Sequence, residues 1–103
     1  MSLVYFITQN NTKFVFVECK LTPITLKDIS QLLGYSKVAQ PNYSIILSPR
    51  YISKPVNQLL KVYNRNDILE YGRDDNKKIK IAKWDTSRNT ILIETLLPSG
   101  EFF

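Results

Sequence analysis

Two runs rich in β-branched and aromatic residues open the chain, Leu3 to Thr8 and Lys13 to Lys20, separated by Gln9-Asn10-Asn11-Thr12. This composition predicts a β-hairpin with a short polar loop. Positions of both parities are apolar: Leu3, Tyr5 and Ile7 on one side, Val4 and Phe6 on the other. Strands that are apolar on both faces are expected at the centre of a sheet or at a hidden interface rather than at a solvated edge. From Thr25 the period changes. Leu26, Ile29, Leu32 and Leu33 fall on one helical face and Lys27, Asp28, Ser30 and Gln31 on the other, which predicts an amphipathic helix over residues 25–33. Thr25 suits the N-cap, with Asp28 at the third helical position, and Gly34 is placed to end the helix in a left-handed conformation.

Tyr43 to Leu47 reads as a short strand stopped by Ser48-Pro49, and Pro55 to Tyr63 as a second helix with Val56, Leu59, Leu60 and Tyr63 at helical spacing. Pro55 is tolerated in a first turn, where its missing N–H has no partner to lose. Ile68 to Tyr71 suggests a further short strand, and Gly72-Arg73-Asp74-Asp75-Asn76 a turn. Lys77 to Trp84 and Thr90 to Leu97 form a second hairpin around residues 85–89. Placing Trp84 opposite Thr90 sets Lys80 against Glu94 and Ile81 against Ile93, a register that pairs charge with charge and apolar with apolar. The expected fold is α+β, a mixed or antiparallel sheet with two short helices in the order ββαβα(β)ββ. At 103 residues the chain is expected to form a single domain over 1–103.

Composition narrows the function classes. The hydrophobic fraction of 44% and charged fraction of 22% are ordinary for a globular domain. No apolar run approaches the roughly 18–20 residues of a bilayer span, so no membrane insertion is expected. The first residues lack the basic segment and small-residue cleavage site of a secretory signal, and a lone Cys19 cannot form an intramolecular disulfide; both point to an intracellular, cytoplasmic protein. The net charge is +5, with the basic surplus concentrated in residues 50–88, which favours polyanionic partners. The abundance of Ile, Asn and Lys is in keeping with an AT-rich genome such as that of a virus or plasmid.

Catalytic chemistry is sparse. The chain has no histidine, which removes Ser/His and Cys/His nucleophile pairs, imidazole bases and histidine-containing metal sites. The three glycines, Gly34, Gly72 and Gly100, make neither a phosphate-binding loop nor a dinucleotide fingerprint. A strand cysteine such as Cys19 is expected to act as a small core residue. Neither cofactor, metal nor small-molecule substrate is expected, and the chain is not expected to be an enzyme.

Glu18-Cys19-Lys20 resembles the E-x-K half of the restriction-endonuclease-like metal site, in which a carboxylate pair holds magnesium and the lysine supports the nucleophilic water. That family expects an upstream Asp, and nothing acidic precedes Glu18, so the favoured reading is a strand-end Glu and Lys. Asp74 and Asp75 are read as turn residues. The segment from Thr25 to Val38 resembles the start of a repressor-type helix-turn-helix DNA reader. Leu26, Ser30, Gly34 and Ser36 fill the places of the apolar residue before the acidic position, the small residue facing the second helix, the turn glycine and the cap of the recognition helix. A hairpin followed by a helix ending in Leu-Gly-Tyr-Ser is also similar to the N-terminal DNA-binding domain of baculovirus repeated-ORF proteins. These resemblances imply that Ser36, Lys37 and Gln40 lie nearest DNA. Pro41 confines any second helix to residues 36–40, and the favoured alternative is one capped core helix followed by a loop.

A second binding signal lies in the last hairpin. Lys78, Lys80 and Trp84 share one strand face, Lys77 and Lys83 have the opposite parity, and Arg88 sits in the loop. Charge and one aromatic ring together suit a nucleic-acid backbone and a base; the plain alternative is a solvated face whose lysines guard against edge pairing. The leading expectation is a small nucleic-acid-binding or regulatory protein contacting phosphates through Lys78, Lys80, Lys83 and Arg88. Its rival is a protein-interaction module, a homodimer or an inhibitor of a larger partner, using the apolar first hairpin or the Phe102-Phe103 tail.

Overall fold

A computed structural model describes residues 2–7, 12–72 and 77–100, with the side chains of 2–7 and 12 left aside. Five strands, β1 (Ser2–Ile7), β2 (Thr12–Cys19), β3 (Tyr43–Ser48), β4 (Ile79–Asp85) and β5 (Thr90–Leu97), form one sheet in sequence order. The two outer pairs are antiparallel, and β2–β3 and β3–β4 are parallel. The α+β class is therefore as the hydrophobic pattern predicts, with a mixed sheet.

Parallel neighbours need crossovers, and each is helical. Helix α1 (Leu26–Ala39) joins β2 to β3, while α2 (Lys54–Asn57), continued by a π-helical turn over Gln58–Val62, leads toward β4. Each crossover advances one strand in the same direction, so the common handedness of such units puts both helices on one face. Packing agrees. Ile29 and Leu32 of α1, Val56 of α2 and Leu60 of the π turn meet Phe16, Ile46, Ile79 and Ile81 of the sheet. The other face carries a second cluster, Val15, Ile45, Leu47, Ala82 and Leu96, with Val17, Tyr43, Trp84 and Ile91 packed against it. Central strand β3 is consequently buried on both faces from Ser44 to Ser48.

Cys19, expected in the core, is exposed at the end of β2, and four details of the backbone differ from the sequence expectation. Helix α1 does not stop at Gly34 but runs to Ala39. A mid-helix glycine costs about 1 kcal/mol. Here the buried stripe Ile29, Leu32 and Ser36 continues across it, and the Ser36 hydroxyl meets that of Ser44 at 2.8 Å. The stop comes at Gln40, left-handed at φ 50, before Pro41. One continuous helix replaces the two-helix unit, so the helix-turn-helix geometry is not formed. The N-terminal end is as predicted, a capping box between Thr25 and Asp28.

Strand β2 is interior, but β1 lies at the edge of the sheet rather than at its centre. Residues 66–69 wind as a 3-10 turn, and the segment contributes only an isolated bridge, Glu70 with Lys78, in place of a strand. The last hairpin pairs Asp85 with Thr90 and Trp84 with Ile91, one residue from the expected register, and then jumps from Lys83↔Leu92 to Ile81↔Leu97. The extra residues of β5 form a bulge closed by Thr95. Its hydroxyl accepts the Lys83 N–H at 2.8 Å and donates to the Leu92 carbonyl at 2.6 Å, standing in for the interrupted ladder. Lys80 and Glu94 are thus not partners: Lys80 neighbours Ile45 of β3, and Glu94 lies in the exposed bulge. The turn over 73–76, including Asp74 and Asp75, and the Phe102-Phe103 tail lie outside the described residues.

Candidate nucleic-acid interface and a polar cleft at the end of the sheet

Strand parity distributes the lysines of β4. Lys80, Ala82 and Trp84 point to the face away from the helices, with Lys78 ahead of them on the same parity, and Ile79, Ile81 and Lys83 point toward the helices. Lys78 and Lys80 are each half-buried. Lys78 reaches Glu70 at 3.8 Å, a long contact. Lys80 has no ion-pair partner among the described residues. Burial, with a smaller contribution from the Lys78 charge, holds its ammonium below the usual lysine range.

Of the other expected contact residues, Arg88 is exposed in the β4–β5 turn, 3.8 Å from Asp85. The turn itself is fixed by the Asp85 carboxylate, which accepts from the Ser87 hydroxyl at 2.7 Å and from the Ser87 N–H at 3.0 Å. Those bonds, led by the Ser87 hydroxyl, hold the Asp85 carboxyl below its usual range. Ser36 is fully buried against Ser44, Gln40 donates to the Tyr71 carbonyl at 2.8 Å, and Lys37 is exposed on the last turn of α1. These three lie near the start of β3, whereas Trp84 and Arg88 lie at the far end of β4. The eight expected residues therefore do not form one site; Lys78, Lys80 and Trp84 share a face, and the rest are dispersed.

At the carboxyl end of β2 the structure assembles groups that were not expected to act together. Glu18 near the end of β2 and Lys20 just past it share a side, and α1 begins a few residues further on. Its residues Asp28, Gln31, Leu32 and Tyr35 fall on one helical stripe and, with Glu18, line a polar cleft of about 120 Å³. The Lys20 ammonium lies 3.3 Å from Glu18 and 3.3 Å from Asp28. Hydrogen bonding to Glu18, then to Asp28, raises its proton affinity. Burial alone would push the Asp28 carboxyl up, but hydrogen bonds from Thr25 and from Lys20 outweigh it and leave it below the usual carboxylate range. The signal was in the sequence: the i, i+3, i+4, i+7 spacing of Asp28, Gln31, Leu32 and Tyr35 directly after a strand-end Glu-x-Lys.

A second cavity, about 310 Å³ and walled almost wholly by apolar groups, opens at the same end of the sheet. Cys19, Lys20 and Leu21 from β2 and its exit, Leu47 and Pro49 from β3 and its exit, and Trp84 and Thr86 from β4 and its exit line it. Carboxyl ends of parallel strands are where open α/β sheets place their ligands. No known protein family, no curated protein and no solved structure matches this chain.

Glu18 and Asp28 supply carboxylate oxygens and Gln31 an amide carbonyl to one cleft. Hard donors of this kind suit magnesium, which binds through one or two carboxylates and keeps several waters. Among the described residues no group of three or more His, Cys, Asp or Glu side chains forms a metal cluster. The donor set fits a hydrated divalent cation only in exchange for the Lys20 ammonium that now bridges the two carboxylates. No helix among the described residues is long and apolar enough to cross a membrane.

Proposed function

We propose that this chain is a nucleic-acid-binding protein that holds phosphates on the helix-free face of β4, without hydrolysing them. The observation that carries the reading is Lys80, a half-buried ammonium with no ion-pair partner among the described residues, held beside the like charge of Lys78. A desolvated ammonium beside a like charge is costly in the isolated protein and is relieved by a polyanion that brings negative charge to it. Lys83, on the opposite face, and Arg88, in the turn, extend the positive field toward the end of the sheet. The test is fluorescence polarisation with labelled DNA and RNA of unrelated sequences at two salt concentrations. Binding that is sequence-tolerant and falls steeply with salt is expected. Absence of binding to either polymer at low salt overturns the reading and favours the interaction-module alternative.

A second reading is supported by Asp28. The E-x-K resemblance lacks an acidic residue upstream of Glu18, but a carboxylate from α1 lies on the other side of the same ammonium. Glu18 and Asp28 would hold a magnesium ion, which when bound supplies Lewis acidity toward a phosphodiester. Lys20, released from the pair, would hold the attacking water. Magnesium-dependent strand cleavage by the parent, abolished in Glu18→Gln while binding persists, would establish this reading over binding alone.

A further inference from the structure

The apolar groove beside Trp84 deepens the nucleic-acid reading, on which the following rests. We propose that it is a slot for one unpaired nucleobase, so that the protein takes single-stranded or locally opened nucleic acid in preference to duplex. At about 310 Å³ the cavity is at the small end of the range for small-molecule sites, roughly 300–1,000 Å³, and suits one planar ring system. Its walls are Cys19, Leu47 and Pro49 with the indole of Trp84, which offers a stacking surface that any base can use.

The surroundings select the chemistry of the occupant. Arg50 follows Pro49 directly, and Arg88 comes two residues after Thr86; both side chains are exposed. Lys80 lies on the same face of β4 as Trp84, four residues earlier, which is about 13 Å along a strand. An apolar slot whose lining residues are followed in the chain by exposed arginines, with Lys80 on the same strand face, matches a base attached to a phosphodiester chain. A neutral apolar ligand would gain nothing from the charge, and a duplex buries its bases in the stack. The nearby Lys20 ammonium is engaged by Glu18 and Asp28 at 3.3 Å each, so the phosphates are assigned to Arg50 and Lys80, and to Arg88, whose contact with Asp85 is a long one at 3.8 Å. With few polar groups in the walls, recognition of base identity is weak.

Trp84 is the chain's single tryptophan, so its emission reports the slot directly. The full chain is titrated with an oligothymidylate, with a duplex of equal length, and with an equal-length strand whose sugars carry no bases. The oligothymidylate is expected to quench Trp84 and to bind roughly 5- to 150-fold more tightly than the abasic strand, the range for one stacked base. Cys19→Phe, which fills the slot, is expected to abolish that preference and the quenching while leaving abasic-strand binding in place. The comparison among ligands on the parent protein decides the matter even where that variant fails to fold. Equal affinity for the base-bearing and abasic strands, or binding of the oligothymidylate with unchanged Trp84 emission, overturns the slot while leaving nucleic-acid binding intact. Failure of all three polymers to bind overturns both.

Discussion

The lysines at the two ends of this sheet carry the same formal charge and have opposite circumstances. Lys20, at the carboxyl end of β2 on the helix-covered side, lies between two carboxylates at 3.3 Å each. Lys13 is likewise engaged, its ammonium 5.5 Å from the centre of the Tyr43 ring, and Lys61 lies 4.7 Å from that of Tyr51. Lys80, on the helix-free side of β4, is half-buried beside Lys78 and pairs with no described group. A positive charge by itself is therefore a poor marker of a binding surface. A desolvated positive charge that the fold leaves uncompensated is a better one, because only there does an external anion add something that the protein lacks.

The largest difference between these lysines is expected in stability. Lys20→Met leaves Glu18 and Asp28 partly buried without their shared ammonium, which should cost about 1–3 kcal/mol and appear as a lower urea midpoint at neutral pH. The sign of its pH dependence follows from Asp28. A carboxyl held below its unfolded value contributes stability that is present above about pH 4 and is lost as pH falls through the lower folded value. Unfolding curves of parent and variant should therefore converge below about pH 4; a gap that persists in acid would show that Lys20 acts through packing of its stem instead.

The opposite and smaller effect is expected at Lys80. Its ammonium is held below the usual lysine range, so the unfolded chain binds that proton more strongly. Stability from this group therefore rises with pH between the folded and unfolded values. Lys80→Met should leave the urea midpoint unchanged or raise it, by no more than about 0.5 kcal/mol. A clear loss of stability would mean that Lys80 is compensated after all. Binding of a polyanion should reverse the shift, so complex formation near pH 10 should take up protons in the parent and less so in Lys80→Met, measurable by calorimetry in buffers of different ionisation heat.

How much of this was legible before the fold was known depends on the range of the interaction. Local signals were reliable: the N-cap at Thr25 with Asp28 at the third helical position, Pro55 in the first turn of the second helix, and the alternation that puts Lys80 and Trp84 on one face all rest on neighbours within a few residues. Nonlocal outcomes were not. Gly34 is a plausible stop by itself, and only the hydroxyl pair between Ser36 and Ser44 and the continued burial of the stripe explain why the helix runs on. Pairing the charges of Lys80 and Glu94 predicts the wrong register for the last hairpin, because Thr95 reshapes β5 by replacing ladder bonds that pattern arguments assume. The apolar groove was invisible for the same reason, since Cys19, Leu47 and Trp84 come together only through the parallel order β2-β3-β4.

The most direct measurement is the slope of log affinity against log salt for binding to a generic duplex, compared among the parent, Lys78→Ala/Lys80→Ala and Lys20→Met, each first shown to be folded. Each phosphate contact removed lowers the slope by about 0.9. The paired variant should therefore lose about 1.8 from its slope and weaken on unrelated sequences alike, while Lys20→Met keeps the parental slope. Equal slopes for the parent and the paired variant, or a flattened slope in Lys20→Met, would contradict the claim that Lys80, left without an ion pair, and its neighbour Lys78 are the lysines that meet phosphate.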